Sequence, residues 1–382
     1  MSWAGWLLSI YFVGTAIKVV ERNMASESTL AEQKASGQLV HRLCLLLVCL
    51  VWPLIWVGGL VTTYDAGMAV PDWPGTYGYN LFLYPYKTWL LGPFDLFIEH
   101  GHRLLGAVVG LVAISLVISA HFKESRRWVF VLTLGLLVAV ITQGLLGGLR
   151  VVLGDRTLAM VHGCFGPAFF ALCAATAVIT SRRWNEYLGR QGVIRVGSGL
   201  VMLFAAIPAL SYTQLVLGAQ LRHVQPNASP GIFAMIVATH VIMAFLLWFL
   251  TAVAWLKIRR CGDLTLSRPA GLLIGLVAVQ IALGVGTWVV NYGWPSILAW
   301  VPGSAGFLVR AKGFSDSIIV TSHVATGSLI LAVSVVVWIR LLRVRHCCKG
   351  TIDPAATERE DADSSPKNEQ KTNVSLLEPV IA

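Results

Sequence analysis

Apolar runs separated by short polar connections dominate residues 43–342. Eight of them are long enough to cross a bilayer, whose roughly 30 Å hydrocarbon layer takes about 20 helical residues. They run near Leu43–Val61, Ile98–Ala120, Trp128–Leu149, Leu158–Thr180, Val196–Leu217, Ile232–Trp255, Ala270–Val290 and Ile318–Leu342. The pattern predicts an all-α integral membrane protein with eight transmembrane helices. A basic, polar segment, Ser181–Arg195, divides the spans four and four, so that residues 43–180 and 194–345 form two pseudo-repeated four-helix bundles. Within residues 1–42, positions 3–20 form a further apolar stretch, interrupted by Lys18 and followed by a polar linker. It lacks the basic start and small-residue cleavage site of a signal peptide, and reads as an extra hydrophobic helix, an interfacial helix or a mis-set start. Residues 350–382 are polar and charged, the composition of a disordered tail.

Composition agrees with the pattern: 56% of residues are hydrophobic and 13% charged, far from the balance of a soluble domain. The net charge of +10 would suit a nucleic-acid binder, but the excess lies in alternate loops, where it sets membrane topology. One set comprises Lys123, Arg126 and Arg127; Arg182, Arg183, Arg190 and Arg195; Lys257, Arg259, Arg260 and Arg268; and Arg340, Arg343, Arg345 and Lys349. The intervening loops hold Lys87, Arg150, Arg156, Arg222, Arg310 and Lys312. The richer set is expected in the cytoplasm or a mitochondrial matrix, with both termini on that side if there are eight spans. The seven cysteines have no zinc-like spacing and none falls in an outer loop, so no structural disulfide is expected. Cys347-Cys348 beside His346 reads either as a metal or acylation site or as a solvated cluster at the membrane edge.

Every even-numbered span carries a histidine near its outer start, followed four residues later by a very small residue: His102/Gly106, His162/Gly166, His240/Ala244 and His323/Gly327. Residues i and i+4 share a helix face, so each imidazole stands beside bare backbone against which a flat group can lie. Ionisable groups inside a membrane are costly and are functional candidates. A single such histidine could serve as a helix-linking hydrogen-bonder. Four at one depth point to metal ligation, and two imidazoles per half would give six-coordinate, electron-transferring haem iron. The pairs would be His102 with His162 and His240 with His323. A di-iron bundle needs several Glu-x-x-His pairs, whereas the spans hold one, and a single zinc or copper ion would not call for two matching halves. A second repeat on odd spans, Gln143-x-x-x-Gly147, Gln214-x-x-x-Gly218 and Gln280-x-x-x-Gly284, reads as helix packing. The first span has Gly58-Gly59 but no matching glutamine.

The one Glu-x-x-His makes the halves unequal. Glu99 shares a face with His102, whereas His100 does not and is left unassigned. Val237 and Val320 stand three residues before His240 and His323, where an acid would be needed. A carboxylate beside an iron-bound macrocycle can take a proton or stabilise developing positive charge. The other reading of Glu99 is a cap at a helix start. Arg103, Arg150 and Arg222 lie at the outer rim, either as bidentate partners of haem propionates or as snorkelling interfacial residues.

Taken together, eight helices in two halves, Glu99-x-x-His102-Arg103-Leu104, the single histidines near the start of the fourth, sixth and eighth spans, and Gly67-x-x-x-Pro71-Asp72-Trp73-Pro74 resemble the haem A synthase family. The resemblance runs from about Leu43 to Leu342. It implies an oxidoreductase that converts haem O to haem A, oxidising one ring methyl to a formyl group by successive hydroxylation and dehydration. It further implies haem b as cofactor on His240 and His323, substrate haem on His102 and His162, and Glu99 as the catalytic acid or base. Electrons would leave through haem b toward an acceptor. The partners implied are haem O, the lipid bilayer, a haem O synthase and other cytochrome oxidase assembly factors, in a bacterial cytoplasmic membrane or, second, a mitochondrial inner membrane. Some family members carry paired cysteines in outer loops, and this chain departs from them. The competing readings are a di-haem b-type electron-transfer cytochrome and a haem transporter or chaperone.

Overall fold

The computed structural model describes residues 38–186, 196–224, 228–302, 304, 309 and 313–349. The apolar stretch 3–20, the tail 350–382, and Arg190, Arg195, Arg310 and Lys312 lie outside them. Eight long helices are present: α1 Gln38–Thr63, α2 Phe94–Lys123, α3 Arg127–Leu153, α4 Arg156–Ile179, α5 Ser198–Arg222, α6 Pro230–Arg259, α7 Leu264–Tyr292 and α8 Phe314–Lys349. All eight are long and apolar enough to cross a membrane, and no strand occurs among the described residues, so this is an all-α multi-pass membrane protein. Most helices run past their apolar stretch at both ends, because a helix satisfies its own backbone and continues into the interface at little cost. Their ends are set locally. Asp155 accepts from the Leu158 N–H at 2.7 Å to start α4, and Asp263 accepts from the Thr265 N–H at 2.7 Å to start α7. Gly154, at φ 60°, closes α3 in the left-handed conformation that glycine adopts without strain.

Neighbouring helices close α1, α2, α3 and α4 into one ring, and α5, α6, α7 and α8 into another. The rings meet where α8 packs on α4 and α1, and α4 on α5. Accordingly α8 is the most enclosed span, with 56% of its most apolar window buried, against 6% for α6 on the periphery. Lipid tails are as apolar as leucine, so these contacts are held by close van der Waals packing and by polar links between helices.

The packed core is not spread evenly along the helices. One cluster joins Phe204 and Ile207 of α5, Ile258 of α6, Leu266 and Leu273 of α7 and Leu341 of α8. A second joins Leu47 and Val51 of α1, Leu116 of α2, Leu136 of α3 and Phe169 of α4 to Leu331 of α8. Both fill the half of the bundle that ends in the basic loops. Toward the opposite end the described buried apolar cluster is small, Val61, Ala66 and Ile98. That opposite end carries the histidines, which lie about 9–15 Å from the first residue of their helices at about 1.5 Å per residue.

Candidate functional site

The four histidines come together as two pairs. His102 and His162 stand with ring centroids 6.3 Å apart, and His240 and His323 also at 6.3 Å, with ring planes at 82° and 63°. Each ring is seated on a glycine of the helix that precedes it in sequence. A Cβ built at Gly58 or Gly147 would come within 2.8 Å of the Cε1 of His102 or His162. At Gly218 and Gly284 the corresponding distance to His240 and His323 is 3.2 Å. Glycine is required at the first two seats because no Cβ tolerates such an approach.

The residue four before each seat supplies a carbonyl for the imidazole. His162 Nδ1 lies 3.1 Å from the Gln143 carbonyl, and His323 Nδ1 3.1 Å from the Gln280 carbonyl. His102 and His240 face the carbonyls of Leu54 and Gln214, without the geometry of a full hydrogen bond. In return, Gln143 Nε2 donates to the His162 carbonyl at 2.9 Å and Gln214 Nε2 to the His240 carbonyl at 2.7 Å. The Gln-x-x-x-Gly repeat is thus both helix packing and a histidine holder. Its first member is Leu54-x-x-x-Gly58, which sequence reading missed because the holder uses the backbone carbonyl, which any side chain leaves in place.

The small residues four after each histidine serve differently from one another. Gly166 and Gly327 lie against the Gln143 and Gln280 amides, where a Cβ would come within 3.3 and 3.1 Å. A Cβ at Gly106 would meet nothing within 4 Å, and Ala244 is part-buried. Only some of these positions therefore present bare backbone.

This arrangement fits a six-coordinate haem iron in each half. A metal about 2 Å from each of two imidazole nitrogens places the ring centres about 6 Å apart. A ligating histidine commonly gives its other ring nitrogen to a carbonyl, which fixes tautomer and orientation. Nδ1 turned to a carbonyl leaves Nε2 for a metal, and no hydrogen bond engages any of the four Nε2 atoms among the described residues. No three His, Cys, Asp or Glu side chains converge among the described residues, as a bare zinc or copper site would need.

Above the first pair, the 64–93 connection folds back over the helix ends. Its turn is built on Asp72, whose carboxylate accepts from the N–H groups of Tyr77 (2.7 Å) and Gly78 (2.9 Å). Burial alone would raise the Asp72 pKa, but these donors and the Arg103 charge outweigh it and hold the carboxyl below its usual range. Gly78 takes φ 78° at this turn. Arg103 donates to the carbonyls of Asp72 (2.6 Å), Gly75 (2.9 Å) and Val70 (2.6 Å) and pairs with Glu99 at 2.8 Å. The second Glu99 oxygen accepts from the Val70 N–H at 3.0 Å. His100, which sequence alone left unassigned, is buried, lies 3.0 Å from Thr76 Oγ1 and is flanked by Tyr84 and Trp89. Consecutive residues of α2 thus split their work. His102 faces the bundle, and Glu99, His100 and Arg103 hold the cover above it.

The three rim arginines are placed unequally. The terminal nitrogens of Arg103 are engaged by the carbonyls and Glu99. Arg222, at the end of α5, crosses to the first half and donates to the Gly59 carbonyl (2.7 Å) and Thr63 Oγ1 (2.6 Å). Arg150 lies against Gly67, where a side chain would collide with its guanidinium, and the Trp73 indole sits similarly on Gly148. No side-chain hydrogen bond occupies Arg150 among the described contacts, which leaves it the best placed of the three to meet an anion. Cys44, Cys49, Cys164 and Cys173 sit within spans and Cys261 beyond the end of α6, all as free thiols.

The chain has no match among curated proteins. A family model described as cytochrome oxidase assembly protein matches residues 41–229, from α1 through α5, which takes in Glu99, His102, His162 and their seats and ends before His240 and His323. By that match, and by the histidine helices it spans, the chain belongs to the COX15-CtaA family of cytochrome oxidase assembly proteins, the family of the haem A synthases.

Proposed function

We propose that this protein is a haem A synthase, oxidising one ring methyl of haem O to a formyl group. The observation that carries this reading is the pair of matched bis-histidine sites, each with 6.3 Å between rings, of which only the first has a carboxylate, Glu99, on the ligand's helix face. The first half holds the substrate through His102 and His162, and His240 and His323 hold haem b, which supplies one-electron transfer. Each hydroxylation replaces one methyl C–H with C–OH, taking the oxygen from water and releasing two protons and two electrons, which leave one at a time through the second half to an external electron acceptor. After two, the geminal diol loses water and the formyl group remains.

The residues around the first pair position and shield this chemistry. His102 and His162 fix the substrate's depth, and their seats on Gly58 and Gly147 fix the rings. Glu99, paired with Arg103 at 2.8 Å above the first histidine pair, is the carboxylate that can receive a proton or stabilise positive charge. The connection pinned by Arg103 and His100 covers the site and limits access of water. The basic end of the bundle faces the cytoplasm of a bacterial cell by the positive-inside rule, and both sites lie toward the outer leaflet.

Co-expression with a haem O synthase in a host that makes no haem A, followed by extraction and mass analysis of the haems, tests the proposal. The formyl product, with some hydroxymethyl intermediate, is expected. Bound haem b with neither product would identify the protein as a di-haem electron-transfer cytochrome. Glu99→Ala should abolish product while the second-half haem is retained; loss of both would make Glu99 a residue of the fold alone.

A further inference from the structure

The basic end of the first half contains a cleft of about 440 Å³, between the start of α1 and the end of α4. That volume lies in the range of about 300–1,000 Å³ typical of ligand sites. His41 and Arg42 line it from α1, Thr180 and Ser181 from the end of α4, and Arg182 and Arg183 from the short helix Arg182–Glu186 that follows. Three arginines, all exposed, and one histidine line the cleft, and no carboxylate lines it among the described residues. The acid at this end of α2 and α3, Glu124, is already paired with Arg126 at 2.9 and 3.0 Å.

The polar floor is ordered. Thr180 donates its hydroxyl proton to the Thr176 carbonyl at 2.9 Å, so toward His41 Nδ1, 3.2 Å away, it acts as acceptor. Ser181 donates to the Val178 carbonyl at 2.6 Å. Ser181 and Arg183 also border a small neighbouring cavity of about 20 Å³ with Arg340 and the buried Arg343 of α8, the latter stacked on Trp184. Topology explains why this end is positive, but not why three arginines from two helical segments surround one concavity. Like charges gathered round a cleft repel unless an anion lies among them, and guanidinium groups suit phosphate oxygens in geometry as well as charge. Basic pockets between transmembrane helices on the cytoplasmic side are where lipid phosphates are bound.

We propose that this cleft binds a phosphate group at the basic membrane face, delivered by the headgroup of an anionic phospholipid or by soluble phosphate. The site lies at the opposite end of the helices from the histidine pairs and does not depend on the proposed haem chemistry. The test uses the full chain in nanodiscs. In one arm, the discs contain phosphatidylcholine with increasing phosphatidylglycerol, and lipid retained by the released protein is counted by native mass spectrometry. In the other, inorganic phosphate is titrated against the chain in pure phosphatidylcholine discs, with binding followed by calorimetry.

Wild type should retain phosphatidylglycerol over phosphatidylcholine, or bind phosphate in the second arm. Arg42→Gln and Arg183→Gln should each weaken that binding about tenfold, as expected for loss of a charge-assisted contact. Arg268→Gln, at the same end but outside the cleft, should leave it unchanged, and Arg42→Lys should lose less than Arg42→Gln. Dependence confined to the first arm identifies the lipid as the source, and dependence in the second identifies soluble phosphate. Equal binding by wild type and both cleft variants in both arms, or an equal loss in Arg268→Gln, would overturn the proposal. A thermal melt of each variant separates a lost site from a lost fold.

Discussion

The two histidine pairs are built alike and covered differently. In both, each imidazole rests on a glycine of the preceding helix, turns Nδ1 to a carbonyl one helical turn before that glycine, and faces its partner ring at 6.3 Å. The first pair adds Glu99, Arg103 and His100, with a connection strapped across the helix ends. The second has Val237 and Val320 where an acid would stand. Under the proposed function, what is common to the halves would hold a flat metal macrocycle between two imidazoles, and chemistry on a ring substituent would need what the first half has in addition.

Substituting ligands breaks this comparison most severely. His162→Ala should abolish product and leave the second-half haem spectrum intact. His323→Ala should remove that haem, and product with it, since no electron path would remain. Haem spectra of the purified variants, read beside product analysis, check both. An unchanged spectrum in His323→Ala would disprove the assignment of the resident haem.

Arg103→Gln comes next. It removes an ion pair from a site where Arg103 and Glu99 side chains are only 9% and 2% exposed. Breaking such a pair typically costs about 3–5 kcal/mol, because the remaining charge is left buried. The connection 64–93 should then become open to proteolysis and hydrogen exchange while the second pair is unaffected. Equal protection in wild type and variant would mean that Arg103 does not pin the cover.

The glycine seats give a smaller, graded contrast. Gly147→Ala places a Cβ 2.8 Å from the His162 ring, whereas Gly218→Ala places one 3.2 Å from His240. Overpacking of this kind costs about 1–3 kcal/mol, so the first variant should lose more thermal stability and show the more perturbed haem spectrum. Equal effects would mean that the two seats are equally tight in the loaded protein.

The smallest expected effect concerns His223, just beyond the end of α5. Burial, then the charges of Arg222, Arg150 and Arg156, push its pKa from 6.5 down to about 4. A histidine depressed in the folded state binds fewer protons there than in the unfolded chain. Its stabilising contribution is therefore complete above about pH 6.5 and is lost as pH falls toward 4. His223→Gln should flatten that part of the melting-temperature profile relative to wild type. An identical slope would show that His223 does not titrate differently on folding.

The eight spans were legible because hydropathy and helix length answer to the bilayer alone, and the histidines because a polar side chain stands out against an apolar background. The Gln-x-x-x-Gly repeat on α3, α5 and α7 was legible as helix packing but not as a histidine holder, nor was its member at Leu54, because the working atom is a main-chain carbonyl. Arg103 shows a different limit. Its place at the rim suggested an anion partner, yet its terminal nitrogens meet carbonyls of residues some thirty positions earlier, Asp72, Gly75 and Val70. Nothing local to α2 announces a contact made by a connection folding back. The cleft at Arg42 and Arg183 was hidden for the same reason, since its walls are distant in sequence.

The glycine seats also act as a gauge of register. Sliding one helix past its neighbour by a single residue moves a side chain about 1.5 Å along the axis and about 100° around it. At Gly147 such a slip would bring Leu146 or Gly148 under the imidazole instead. The first of these would drive a leucine into the imidazole, and the second would present a glycine already taken up by Trp73. Insertions or deletions within α3 between its start and Gly147 are therefore excluded unless α4 changes in step, whereas the connections can vary in length. The depth of each imidazole in the membrane is thereby fixed by helix alignment before any ligand arrives.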